Sequence, residues 1–266
     1  MDIKQKVNKL IKRVYPKYGL QKSDVILASF PKSGNTWMRF IWANMVSITE
    51  LGGREVDFKI INKEMVAEYD SHSFGSLKFD CLPRLVKSHK EYTHGAFGDN
   101  RCIYIIRHPG DVAVSYYEYR MARNLIDSRK TDLKEFLKDE YYGVPAWCRH
   151  VNSWLGNADA IIKYEELKSG ATEVVSAILK EIGIDNITEE VIGKAVERSS
   201  FSSMKEKEMK RGRIKEEKFD ESYNFMRKGE TGEWKVRLEE NEKKYIRNTI
   251  EEYGLKELYS LESLTA

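Results

Sequence analysis

The chain has 266 residues, of which 41% are hydrophobic and 33% charged, and a formal net charge of +3. That balance excludes a disordered chain, carries too little surplus charge to argue for nucleic acid, and suits one domain with one sizeable core. No run of about 18 apolar residues occurs, so no segment reads as a membrane span. Cys81, Cys102 and Cys148 are odd in number and far apart, which argues against a disulfide framework and for a reducing, cytoplasmic setting. No Cys or His spacing resembles a metal site.

Residues 1–22 are basic and amphipathic, and read as a helical segment. Their apolar positions are interrupted too often for the roughly 7–15-residue apolar stretch of a signal peptide. Four short apolar runs follow along the chain: Val25–Ser29, Leu85–Lys87, Cys102–Ile106 and Ala160–Lys163. Each is closed by turn or polar residues and reads as a buried parallel strand.

Helical patterns lie between and after these runs. Trp37, Ile41, Met45 and Ile48 keep a three-to-four spacing, and Thr131 predicts a capped helix over Asp132–Tyr141. Val174, Val175, Ile178, Leu179 and Ile182 form a stripe that Gly183 ends, and Thr188 caps a helix carrying Val191, Ile192, Ala195 and Val196. Strands alternating with helices, without repeats or linkers, predict a single α/β domain with a mostly parallel central sheet flanked by helices. Residues 202–224 are dominated by charge and read as a mobile surface segment, a lid between two binding pieces; a charged, permanently ordered helix is the alternative.

The first run leads into Ser29-Phe30-Pro31-Lys32-Ser33-Gly34-Asn35-Thr36-Trp37, which opens a helix. A strand-loop-helix junction of this P-loop-like kind aims backbone N–H groups and the positive end of the helix dipole at one point, where a phosphate can sit. Gly34 permits close approach, Ser33 and Thr36 add hydroxyls, and Lys32 adds a full charge. The ATP-binding loop G-x-x-x-x-G-K-[ST] needs Lys after its second Gly, whereas here Lys32 precedes Gly34. A plain helix N-terminus capped by Ser33, with Lys32 in solvent, would account for the same residues.

PKSGNTW at 31–37 resembles the 5′-phosphosulfate loop of the sulfotransferases that use 3′-phosphoadenosine 5′-phosphosulfate (PAPS), in particular the cytosolic type. Two further segments match that family independently: RHPGDVAVSYY at 107–117, its 3′-phosphate motif, and FMRKGETGEWK at 225–235, its R-K-G-x-x-G-[DE]-W-K loop. Shorter echoes occur at KSH (87–89), AWCRHVNSW (146–154), YEEL (164–167) and SSFSSM (199–204), in the family's order.

The resemblance implies sulfuryl transfer from PAPS to a hydroxyl or amine of a small molecule, with 3′-phosphoadenosine 5′-phosphate (PAP) as product and no metal. Arg107 and Ser115 would bind the 3′-phosphate with Arg227, Lys228 and Gly229, from the loop that also carries Phe225 and Met226. Residues 32–37 would hold the phosphosulfate, with Asn35 among them. Adenine would lie between Trp37 and Phe201, with Tyr164 and Ser199 at its edge; each base–aromatic stack is worth ~1–3 kcal/mol.

By the same resemblance, His89 is the general base, a role worth roughly 10²–10⁴-fold in rate. Lys32 would stabilise the departing phosphate oxygen, Ser115 would hold Lys32 near the 3′-phosphate until acceptor binds, and Lys87 is a second candidate for sulfonate contact. His72, His94, His108 and His150 read as structural histidines. Residues 51–84 and 119–141, with Phe58, Phe74, Phe79, Tyr141 and Tyr142, are expected to line the acceptor pocket. The family's dimer motif K-x-x-x-T-V-x-x-x-E has no counterpart after Lys235, where VRLEENEKKY follows, so its dimer mode does not transfer. A P-loop kinase, or a catalytically silent PAP-binding module, are the competing readings. The first is disfavoured by the position of Lys32 and the second by the joint presence of His89 and Lys32.

Overall fold

The computed structural model describes residues 19–70, 78–127, 129–211 and 226–259. The four expected strands form, as β1 (Val25–Ser29), β3 (Leu85–Ser88), β4 (Arg101–Ile106) and β5 (Ala160–Lys163), and a further strand, β2 (Val66–Glu68), sits at the sheet edge. The order is β2-β3-β1-β4-β5. All pairings are parallel, with Val25 opposite both Leu85 and Arg101. At three residues, β2 is too short to leave a periodic signal in the sequence.

All five residues of β1 are buried, as a central strand covered on both faces must be. Its side chains alternate between two cores. Val25 and Leu27 join Ile103, Ile105 and the apolar faces of α1 (Asn35–Glu50), α8 (Ala171–Glu181) and α9 (Glu189–Arg198). Ile26 and Ala28 join Tyr104, Ile106 and residues of α4 (Pro109–Ala122), α6 (Val144–Trp154) and α12 (Glu240–Glu252). The shorter helices are α2 (Phe58–Ile60, continued by a wide turn over Ile61–Met65), α3 (His94–Phe97), α5 (Leu133–Leu137), α7 (Tyr164–Ser169) and α11 (Glu233–Arg237).

Thr188 caps α9 as expected, accepting from the Val191 N–H. The helix expected over Asp132–Tyr141 is shorter. Asp132, not Thr131, is its cap, in a reciprocal pair with Glu135, and α5 ends at Leu137. Beyond it the Asp139 carboxylate accepts from the Tyr141 and Tyr142 N–H groups, a local bond that competes with continued helix.

The charged stretch after Ser200 begins as a helix, α10 (Phe201–Arg211). Met204 is only 2% exposed in the core, and the Lys207 ammonium donates to the Arg198 carbonyl at 3.0 Å, so these turns are held down. Residues 212–224, the rest of the expected lid, lie outside the described residues, as do 1–18 and Phe225.

Candidate active site

A cavity of about 340 Å³ opens at the carboxyl ends of β1, β3, β4 and β5. The order of the sheet reverses at β1, and crevices of open parallel sheets lie at such a point. Lys32, Gly34, Asn35, Thr36, Trp37 and Arg107 share its wall with Ser115, Tyr164, Phe201, Met226, Arg227, Lys228 and Gly229. Lys87 and His89 are on the same wall. Chain segments more than 190 residues apart thus meet at one opening.

The loop 30–34 turns on two left-handed residues, Lys32 at φ 71° and Gly34 at φ 105°. A left-handed conformation costs a side-chain-bearing residue about 1–2 kcal/mol, so Lys32 is held there against its preference. A Cβ on Gly34 would lie 2.5 Å from Cδ2 of Tyr164, which is why the turn can lean on that ring. No side chain caps α1, so its first N–H groups face the cavity without an intrahelical acceptor. The Asn35 amide turns inward instead, to the Leu27 carbonyl and the Ser29 hydroxyl.

Buried polar atoms here without a hydrogen-bond partner among the described residues include Ser33 Oγ, Asn35 Oδ1, Trp37 Nε1 and Arg107 Nε. Buried polar groups are normally paired. Their position beside an anion-binding helix start fits a polar ligand such as a nucleotide.

Arg107 ties the loops together. Its guanidinium donates to the Lys32 carbonyl at 3.2 Å and the Glu230 carbonyl at 2.7 Å, and lies 4.5 Å from the Tyr164 ring centre. Asp111 anchors the distant glycine loop: its carboxylate accepts from the Gly232 N–H at 2.7 Å and the Trp234 N–H at 3.2 Å. His108 stacks on Trp234 at 4.3 Å and caps α4 through Nδ1; burial lowers its pKa to about 3, which keeps that nitrogen an acceptor. Glu233 pairs with Arg227 and Lys228. Burial pushes its carboxyl up, but those two cations outweigh it and set the pKa at about 2.

His89 is held on three sides. Its backbone N–H donates to the Asp70 carboxylate at 2.7 Å, and Nδ1 lies 2.7 Å from the Ser29 carbonyl. A carbonyl can only accept, so Nδ1 carries the ring proton and Nε2 keeps its lone pair. Burial, with Lys87 next, pushes the imidazole well below its ordinary value, so it is neutral near pH 7. Behind it, His150 Nε2 donates to the His89 carbonyl at 3.2 Å while Nδ1 accepts from the Tyr104 hydroxyl at 2.9 Å.

Some expected residues stand elsewhere. Ser199 does not line the cavity: it is fully buried, donates to the Ala195 carbonyl and accepts from Asn44. The acceptor-side aromatics also miss the cavity wall. Phe58 is core against Phe40, Phe79 packs on the core, Tyr141 is 80% exposed, and Tyr142 packs on Tyr116. Phe74 and His72 lie outside the described residues. Tyr119, the first residue of the expected segment 119–141, does line the wall, and Tyr116 and Arg39 join it without having been singled out in the sequence. Arg39 offered no motif, only a charge on an otherwise apolar helix.

A glycine-turned loop at a helix start, ringed by cations at the carboxyl edge of a parallel sheet, defines the class of α/β proteins with a phosphate-binding loop. The sequence profile of the sulfotransferase domain matches residues 22–260, and the chain belongs to that family of enzymes. It is 30% identical to Sulfotransferase 2A6 of Mus musculus over 240 residues, which cover 85% of this chain and 82% of that one. It is 33% identical to Sulfotransferase 1A1 of Bos taurus over 229 residues, 80% of this chain and 77% of the relative. Among solved structures, mouse sulfotransferase SULT7A1 complexed with PAP superposes with a TM-score of 0.65 at 24% identity, covering 88% of this chain and 85% of that one. Retinol dehydratase in complex with androsterone and PAP gives 0.66 at 17% identity, covering 88% and 81%. Both share the fold.

Proposed function

We propose that the chain transfers a sulfuryl group from PAPS to a hydroxyl, or an amine, of a small-molecule acceptor by in-line displacement, leaving PAP. The observation that carries this is the meeting of Lys32, Arg107, Ser115, Arg227–Gly229 and His89 on one cavity wall. The donor supplies the sulfuryl group, and its two anionic ends need cations at two places.

Arg107, Ser115 and the glycine loop supply one of those places, where two-pronged Arg contacts suit a 3′-phosphate. Residues 32–37 supply the other, with first-turn N–H groups aimed at the phosphosulfate. Trp37 and Phe201, both on the wall, would flank adenine. His89 takes the acceptor proton on Nε2 as the new sulfur–oxygen bond forms. Lys32 faces the opposite task, meeting the electron pair left on the phosphate oxygen as the old bond breaks. Lys87, on the same wall, is the second candidate for contact with the sulfonate. Positioning and charge stabilisation account for most of such a reaction.

PAP should bind and raise the melting temperature, by about 2.7 kcal/mol of stabilisation at 100 times its dissociation constant. Adenosine should give a far smaller shift and ATP a weaker one. Transfer of labelled sulfate from PAPS to an acceptor panel then separates an enzyme from a silent PAP-binding module. Equal shifts from PAP and adenosine would sink the donor assignment, and a stronger response to ATP would favour a kinase.

A further inference from the structure

Glu233 stands among the cations assigned to the 3′-phosphate and lines the cavity with them. Its carboxylate accepts from both terminal nitrogens of Arg227, one of them at 2.8 Å, and lies 3.0 Å from the Lys228 ammonium. Its side chain is 9% exposed, against 25% for Arg227 and 47% for Lys228. Burial alone would raise its pKa, yet the two cations bring it to about 2, so it is an anion at any working pH. Its backbone is fixed. Gly232 turns into α11 at φ 84°, and Asp111 holds the N–H groups of Gly232 and Trp234, on either side of Glu233. The carboxylate can therefore move only through its side-chain torsions. A second cation is within their reach: Nη1 of Arg237, one turn along α11, lies 3.7 Å away, while Nη2 of that residue holds Glu118 at 2.6 Å.

A phosphate dianion that met Arg227 and Lys228 with this carboxylate still in place would sit beside a like charge that little water screens, which is costly. An Arg fork grips a carboxylate and a phosphate in the same two-pronged way, so the two anions compete for it. The carboxylate is tethered beside the cations and competes at a high effective concentration. We propose that Glu233 is the internal counter-anion of the 3′-phosphate subsite: it neutralises Arg227 and Lys228 between turnovers, turns towards Arg237 when the 3′-phosphate arrives, and returns to displace PAP after transfer. Glu233 thus sets donor affinity and product release without touching a reacting atom. The inference rests on the PAPS reading and adds to it how the donor site is emptied.

Calorimetry with PAP and with 5′-AMP, which lacks the 3′-phosphate, tests it. Glu233→Gln should tighten PAP about 10-fold, the low end of the range for a hydrogen bond to a charged group, because Lys228 is half-exposed. Binding of 5′-AMP should stay within about twofold. Stopped-flow release of PAP should slow by a factor similar to the gain in affinity, since affinity changes at one site fall mainly on dissociation. A merely structural acid would act in reverse, because its loss would loosen Arg227 and weaken PAP. Weaker or unchanged PAP binding in Glu233→Gln therefore overturns the proposal, as does equal tightening of PAP and 5′-AMP. Arg237→Gln should weaken PAP a few-fold in the native background and leave it unaltered beside Glu233→Gln; equal weakening in both overturns the exchange with Arg237. If Glu233→Gln does not fold, crystals of the native protein with PAP decide. The 3′-phosphate should occupy the Arg227 fork with Glu233 turned away, and an intact Arg227–Glu233 pair overturns the inference. Native protein that binds PAP no better than adenosine strikes the donor reading itself.

Discussion

The two ends of the cavity are built differently. The Arg107 end is a set of consecutive motif residues laced together through backbone groups: Arg107 on the Lys32 and Glu230 carbonyls, Asp111 on the Gly232 and Trp234 N–H groups. The His89 end is built of single side chains from separate elements, Lys87 on Glu68, Arg39 on Asn62, His89 on Ser29 and Asp70. Backbone lacing preserves the shape of a ligand site while most side chains around it vary. Side-chain pairing lets one substitution change what is recognised.

The sharpest division of the two ends is His89→Ala. Turnover should fall roughly 10²–10⁴-fold, while PAP affinity stays within a few-fold, because the base meets acceptor and not donor. Near-normal turnover with the best acceptor would remove His89 from the mechanism. Asp111→Ala attacks the other end. It leaves two loop N–H groups unpaired, at about 1–3 kcal/mol each. PAP binding should weaken by one to two orders of magnitude and the melting temperature should drop. If calorimetry finds PAP affinity intact, the lacing is decorative.

A subtler break is His150→Phe, which keeps a ring against Tyr104 but removes the hydrogen bonds to the His89 carbonyl and from the Tyr104 hydroxyl, the first of which bears on turnover. Loss of one such bond corresponds to about a tenfold fall in kcat, with acceptor KM held within a few-fold. An unaltered kcat would mean that Ser29 and Asp70 alone position the base.

A last effect is on stability. Burial holds His150 near a pKa of about 4 and His108 near about 3, against 6.5 in the unfolded chain. Below that value the unfolded state binds more protons, so stability is lost as pH falls from 6.5 towards 4, by up to about 1.4 kcal/mol per pH unit for each histidine. Asp70 and Glu165, whose carboxyls burial raises, act in the opposite sense at lower pH. The urea midpoint should therefore be lower at pH 5.5 than at pH 7, and less so in His150→Phe. No change over that interval would show that these histidines are not buried neutral.

The strands were legible because central parallel strands must be apolar on both faces, as Val25–Ser29 is. The loop 31–37 was legible as a strand-loop-helix junction, and the segments 107–117 and 225–235 were legible through their resemblance to the family's motifs. Three features were not. Strand β2 is too short to show a period, the end of α5 hangs on a carboxylate capping the wrong N–H groups, and Ser199 faces Asn44 because helix packing rotates it there.

Local order in the sequence thus determined the sheet's central strands and the glycine-turned loop after β1, because each depends on residues within one or two turns of chain. Only the tertiary structure decided that Arg39 and Lys87 share a wall with His89, that Asp111 holds the glycine loop, and that His150 bonds the His89 carbonyl. Those contacts join residues 48 to 123 positions apart, as from Arg39 to Lys87 and from Asp111 to Trp234, and no local propensity records them. The parallel order β2-β3-β1-β4-β5 brings them together, since it places the carboxyl ends of β3, β1 and β4 side by side.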